Sequence, residues 1–136
     1  MFSFIKNLKK KLVKPSINEI RIGVAFLTKF MEYQIYIVRG KDGLKEDDYN
    51  IVLGGYIFGL CSAWIKTLGM SFKDDGFYLT LKVFHNVLGE EKGQLLFDEI
   101  FEYTLKNGLT EQSKAGGRDF HLISEDFKSS YLKDNL

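Results

Sequence analysis

The chain has 136 residues, one cysteine, one proline and a formal net charge of +1, with 45% hydrophobic, 15% aromatic and 27% charged residues. That length is one domain, and an ordinary apolar share with near-zero charge excludes intrinsic disorder. A chain of this size buries enough surface to fold without a metal or disulfide staple, and a lone cysteine excludes an intrachain disulfide and suits a reducing compartment.

The neutral total hides an asymmetry. Residues 1–14 hold Lys6, Lys9, Lys10, Lys11 and Lys14 and no acid, so they carry +5, while residues 15–136 carry −4. In the same segment Phe2, Ile5, Leu8 and Leu12 recur at three- and four-residue steps, which on a helix gives one apolar stripe and one cationic face. Such an arm can lie on an anionic membrane surface, dock in a partner's groove, or simply pack on the body as a first core helix. Phe2, Ile5, Lys6, Lys9, Lys10 and Lys11 are its candidate interaction residues. Nucleic acid is not the expected partner, because the body extends no basic patch from the arm. The segment has no apolar stretch of the length a secretory signal needs, and neither a myristoylation nor a prenylation motif is present.

Pro15 divides the arm from the body, and Ser16 followed by Glu19 reads as a capping box. A long helix is predicted over 17–39. Ile17, Ile20, Val24, Leu27, Met31, Ile35 and Val38 form one stripe, and Ile22, Phe26, Phe30, Tyr33 and Ile37 form a second beside it. A helix apolar over most of its circumference belongs in the centre of a bundle. Gly40 ends it, and a second helix is predicted from an Asp47 or Asp48 cap to Leu68. Residues 49–65 are uncharged, yet they are shorter than the roughly 20 apolar residues of a membrane span and include three glycines, so they read as a core helix. Gly55, Gly59 and Ala63 fall on one face of it. That small-residue stripe permits a close crossing, expected with 17–39, or pairing with a second copy.

Residues 77–87 are ambiguous. Phe77, Leu79, Leu81 and Val83 alternate as in a strand, whereas Phe77, Leu81, Phe84 and Leu88 step as in a helix, with Ser71 and Asp74 as a capping box and Gly89 as a terminator. No convincing second strand exists to satisfy a first, so helix is predicted. A fourth helix follows from Glu90 to Lys106, closed by Asn107 and Gly108, with Leu96, Phe97, Ile100 and Phe101 facing inward. Thr110 caps a fifth, which passes Gly116 and Gly117. The tail from Glu125 is a short final helix or loosely ordered.

Catalytic and metal signatures are sparse. Two histidines and one cysteine at these spacings match no zinc or di-iron carboxylate motif, and neither acidic turn fits a calcium loop. No phosphate-cradling glycine motif occurs. Gly116-Gly117-Arg118-Asp119 is the one unusual stretch. Arg118 beside two glycines suits an anion, or pairs with a carboxylate while the glycines allow close packing. Cys61 lies in an apolar run, where a thiol is inert.

The expected fold is all-α: a single-domain bundle of five to six helices over 15–136, with 17–39 and 49–68 central and 1–14 as a basic arm. The expected function is non-enzymatic: a protein-interaction module that binds a protein partner or itself, without cofactor or metal, in the cytoplasm. The alternatives are a peripheral protein held at the inner membrane face by residues 1–14, and a binder of a small apolar ligand in an aromatic-lined helical pocket.

Overall fold

A computed structural model describes the backbone of residues 17–135 and the side chains of residues 18–123. Within them lie five long helices and no strand: α1 (Ile17–Arg39), α2 (Ile51–Thr67), α3 (Phe77–Leu88), α4 (Glu90–Asn107) and α5 (Glu111–Asn135). The predicted all-α bundle is therefore observed. Residues 77–88 are helical, with Leu79, Thr80, Val83, Phe84 and Leu88 buried along one face. The arm, including its candidate residues Phe2, Ile5, Lys6, Lys9, Lys10 and Lys11, lies outside the described residues, as does the Ser16 cap.

Helix α2 is the hub. It packs most extensively on α5 and also touches α4, α3 and α1. Nine of its residues from Gly54 to Ile65 are buried, including Ile57, Phe58, Leu60 and Cys61. The two stripes of α1 have different fates. Ile20, Leu27 and Met31 are buried, chiefly against α3, but Ile22, Tyr33 and Ile37 on the opposite side stay 62%, 64% and 59% exposed. Apolar periodicity marks both stripes, and the second is covered by the described body only in part, Phe26 stacking on Trp64 and Phe30 packing on the core.

The small-residue stripe of α2 meets a different helix from the one expected. A Cβ at Gly59 would overlap the Ser113 carbonyl, and one at Gly55 would crowd Thr110 Oγ1. On the facing side, a Cβ at Gly116 would overlap the Tyr56 carbonyl. The close crossing is therefore between α2 and α5, not α2 and α1. The physical reason is reciprocity: α5 presents Ser113 and Gly116 there, whereas α1 meets α2 at the Trp64 ring, through Gly23 and Phe26, and that large side chain holds the two backbones apart. The crossing is sealed by a buried hydrogen bond in which Ser113 Oγ donates to the Gly55 carbonyl at 2.8 Å.

Two cap expectations are also revised. Helix α2 begins after Asn50, whose side chain accepts from the amides of Val52 and Leu53. Asp48 is drawn away by Arg39. Before α3, Ser71 makes no side-chain cap. Its carbonyl instead accepts from Gly76 N at 3.0 Å, closing a π turn over Phe72–Gly76. The aromatic excess is largely internal. Phe72, Phe77, Phe84, Phe97 and Phe101 stack edge and face with centroids 5.2–6.1 Å apart, and Trp64 sits between Phe26 and Phe120.

Candidate functional site: an aliphatic groove with two polar locks

The space left open lies at the other end of α1. A groove of about 510 Å³ runs between the last turns of α1, the 40–50 connection, the start of α2 and the first turns of α5. Its walls are mostly aliphatic: Met31, Ile35 and Val38 from α1, Leu44 from the connection, Val52 and Leu53 from α2, and Ala115 from α5. Tyr56 is its single aromatic lining residue. This groove is aliphatic and open to solvent.

The connection is folded against α1 by a defined set of bonds. Gly40 and Gly43 take left-handed φ values of 72° and 70°, which turn the chain out of the helix and back. The Arg39 guanidinium then forks onto Asp48: Nη2 donates to Oδ1 at 2.6 Å and Nε donates to Oδ2 at 2.8 Å. Asp48 Oδ2 also accepts from the Lys45 amide at 2.8 Å. A planar fork on a carboxylate outcompetes a helix cap for the same oxygens, which is why capping of α2 passes to Asn50. The hydrogen bond from Arg39, with the amide of Lys45, holds the Asp48 carboxyl far below its usual range. The pair neutralises itself at one end of the groove.

At the other end Tyr56 Oη donates to Asp119 Oδ2 at 2.6 Å and ties α2 to α5. Burial, then the hydrogen bond to Asp119 and its charge, push the Tyr56 hydroxyl well above its ordinary value, so it stays protonated. Asp119 therefore has an uncharged hydrogen-bond partner, and unlike Asp48 it enters none of the ion pairs among the described residues. The sequence reading stopped one residue short of it. Within Gly116-Gly117-Arg118-Asp119 it singled out Arg118, which is exposed and enters none of the ion pairs among the described residues. The missed signal was spacing: Asp119 follows Gly116 by three, so it shares the face that the glycine presents to α2.

Gly55 and Gly59 are buried in the α2–α5 crossing, and Ala63 is 9% exposed on the same helix, so the small-residue stripe is used inside the chain. Cys61 is fully buried, and burial pushes its thiol well up despite a hydrogen bond with Thr80. Neither histidine joins it: His85 Nε2 bonds Gln94 Oε1 at 3.0 Å, and His121 is exposed. Among the described residues no group of three or more His, Cys, Asp and Glu is placed to hold a metal ion, and no helix is long and apolar enough to cross a membrane. In comparisons with family models, curated proteins and solved structures, nothing matched this chain.

Proposed function

We propose that the chain is a non-enzymatic protein-interaction module whose groove receives an apolar segment carrying a cationic side chain. The groove itself carries the reading. It is aliphatic along its walls and open along its length, and its Asp119 carboxyl group enters no ion pair among the described residues. An open apolar channel with a few fixed polar groups suits an amphipathic segment laid along it, with a lysine or arginine reaching Asp119. The three groove groups with clear shifts move away from neutrality, Asp48 downward, Tyr56 and Arg39 upward. A general acid or base has to titrate near the working pH, so these groups serve binding rather than proton transfer.

The test is a titration of the isotope-labelled full chain with a synthetic helical peptide of leucine and lysine, followed by amide chemical shifts. Perturbations are expected at residues 31–39, 44–56 and 112–119. Val52 is 53% exposed, so Val52→Arg blocks the groove without emptying the core and removes the response. Asp119→Asn keeps an acceptor for Tyr56 and deletes the charge, which weakens binding up to about fivefold. Shifts confined to other surfaces, or unaffected by Val52→Arg, refute the assignment.

A further inference from the structure

The groove has a direction. Helix α2 starts beside the end of α1 and runs back along it, so that Trp64 lies against Gly23. The Arg39–Asp48 pair therefore marks the end of the groove far from Ile17, and the Tyr56–Asp119 bond marks the near end. A segment entering from Ile17 passes the Asp119 carboxyl first and the aliphatic walls of Ile35, Val38 and Leu44 after it. We infer that the resident occupant of the groove is the chain's own basic arm, residues 2–12, laid antiparallel to α1, so that an outside segment binds only by displacing it. The arm lies outside the described residues. The inference rests on the groove reading and adds what fills the groove when no partner is present.

The first observation is a pair of matching gradients. Phe2, Phe4 and Ile5 form an uncharged apolar tip, whereas Lys6, Lys9, Lys10 and Lys11 crowd the stretch nearer α1. Run antiparallel to α1, the arm sets its tip between the aliphatic walls at the far end, where Arg39 and Asp48 neutralise each other. Its lysines come to the near end, where Asp119 enters no ion pair among the described residues. The opposite direction would set the lysines against a pair that is already closed and the apolar tip against a carboxyl group. Charge therefore selects both the place and the direction.

Reach agrees. Met31, the groove residue of α1 nearest Ile17, stands about 21 Å along the helix from it. The link from Leu12 to Ile17, extended, spans about 16 Å, and about 13 Å of that remains along α1 once two helices are set about 8–10 Å apart. Pro15 falls in this link, where a helix cannot run through it. A helical stretch from Phe2 to Leu12 adds about 15 Å. The arm then covers the levels of Phe26 to Ile35, with its lysines around Met31 and its apolar tip inside the groove.

Tethering sets the strength. Phe2, Ile5, Leu8 and Leu12 make one apolar face, and a groove of about 510 Å³ takes such a face rather than a whole helix. A short link holds the arm at an effective concentration on the order of millimolar, so contacts too weak to retain a free peptide keep the groove largely filled. An outside segment competes with the arm, and its apparent affinity falls with the fraction of chains whose groove stands free. The arm thus sets a threshold that only a better-fitting partner crosses.

Two measurements on the full chain test this. In the first, a nitroxide is attached at Ser3→Cys; Cys61 is fully buried, so the reagent takes the introduced thiol. Paramagnetic broadening of amide signals is expected at 35–39, 44–53 and 112–119, independent of protein concentration. Broadening confined to 17–37 places the arm on the outer face of α1 and overturns the inference. Broadening of an isotope-labelled chain by a separate nitroxide-bearing chain assigns the arm to a second copy and also overturns it. In the second, the leucine and lysine peptide is titrated into the parent and into a chain carrying Ile5→Asp and Leu8→Asp. With the arm's apolar face removed, the peptide is expected to bind about tenfold more tightly, as for a groove freed from about 90% occupancy. Equal affinity for both chains, with shifts still at the groove, overturns the arm as occupant and leaves the groove reading standing. No response at the groove in either chain, with no broadening there, refutes the groove reading and this inference with it.

Discussion

Gly59 is the position where the fold's central contact can be tested most sharply. Replacing it with alanine improves the intrinsic helix propensity of α2 by up to about 1 kcal/mol, so an isolated helix gains. In the bundle the new methyl overlaps the Ser113 carbonyl, which is backbone and cannot rotate away. Helix α5 must move outward. That motion strains the Ser113 Oγ to Gly55 carbonyl bond of 2.8 Å, and leaving a buried hydroxyl or carbonyl unpaired costs about 1–3 kcal/mol. Overpacking adds about 1–3 kcal/mol more. After the propensity gain is subtracted, Gly59→Ala is expected to lose about 1–6 kcal/mol, a large share of a typical stability of about 5–15 kcal/mol. Gly117→Ala is the matched control across the same crossing. Its Cβ would meet Gly59 O at 3.9 Å and Ala63 Cβ at 4.0 Å, ordinary contact distances, so it is expected to be neutral or to stabilise by up to about 1 kcal/mol. Urea unfolding followed by circular dichroism, with the denaturant slope compared among all three chains, measures both. Equal stability of Gly59→Ala and the parent, or the same sign for both substitutions, refutes the crossing as described.

Three further outcomes follow from other parts of the molecule. Asn50→Ala removes the acceptor of the first amides of α2 and is expected to lower stability by about 1 kcal/mol in the same unfolding assay, while Ser71→Ala, which removes no side-chain cap, leaves it nearly unchanged. The Asp48 carboxyl is depressed in the folded chain, so its contribution is present above the unfolded value near pH 4 and is lost as pH falls toward the folded one. Thermal melts from pH 6 to pH 2 are therefore expected to show a shallower acid limb for Asp48→Asn than for the parent, and identical limbs would contradict the Arg39 clamp. Cys61 is buried with its thiol pushed up, so a disulfide reagent at pH 8 is expected to react with the native chain only through opening, and at once when the chain is unfolded. Prompt reaction of the native thiol would place Cys61 elsewhere.

The contrast between what the residues foretell and what they conceal has one cause throughout. Features that act within a helix are legible. The periodicity of Leu27 and Met31, the inward set of Leu96, Phe97 and Ile100, and Thr110 capping the Ser113 amide at 3.0 Å all depend on neighbours three or four residues away. Features that depend on which helix stands opposite are not. The stripe of Gly55 and Gly59 announces a close crossing but not its partner, because closeness needs small residues on both sides and α5 is more than 50 residues downstream. Asp48 reads locally as a cap until Arg39, nine positions earlier, takes its oxygens. Tyr56 and Asp119 are 63 positions apart, and neither is unusual alone.

The same reasoning separates the two surfaces of α1. Its periodicity marks 17–39 as apolar nearly all round, which in sequence means only that both sides favour contact with something other than water. One side is covered by α3, and its C-terminal end opens on the groove. The other side remains exposed along Ile22, Tyr33, Tyr36 and Ile37, about 22 Å of helix at 1.5 Å per residue, with Phe26 at its margin stacked on Trp64. Monomeric proteins rarely leave a contiguous apolar patch of several hundred Å² in water without using it. A helix that were merely central would have no such residue pattern to spare, and a helix that were merely peripheral would have replaced Tyr33 and Ile37 with charge. Helix α1 does neither, which leaves its second stripe an apolar surface only partly used by the described body.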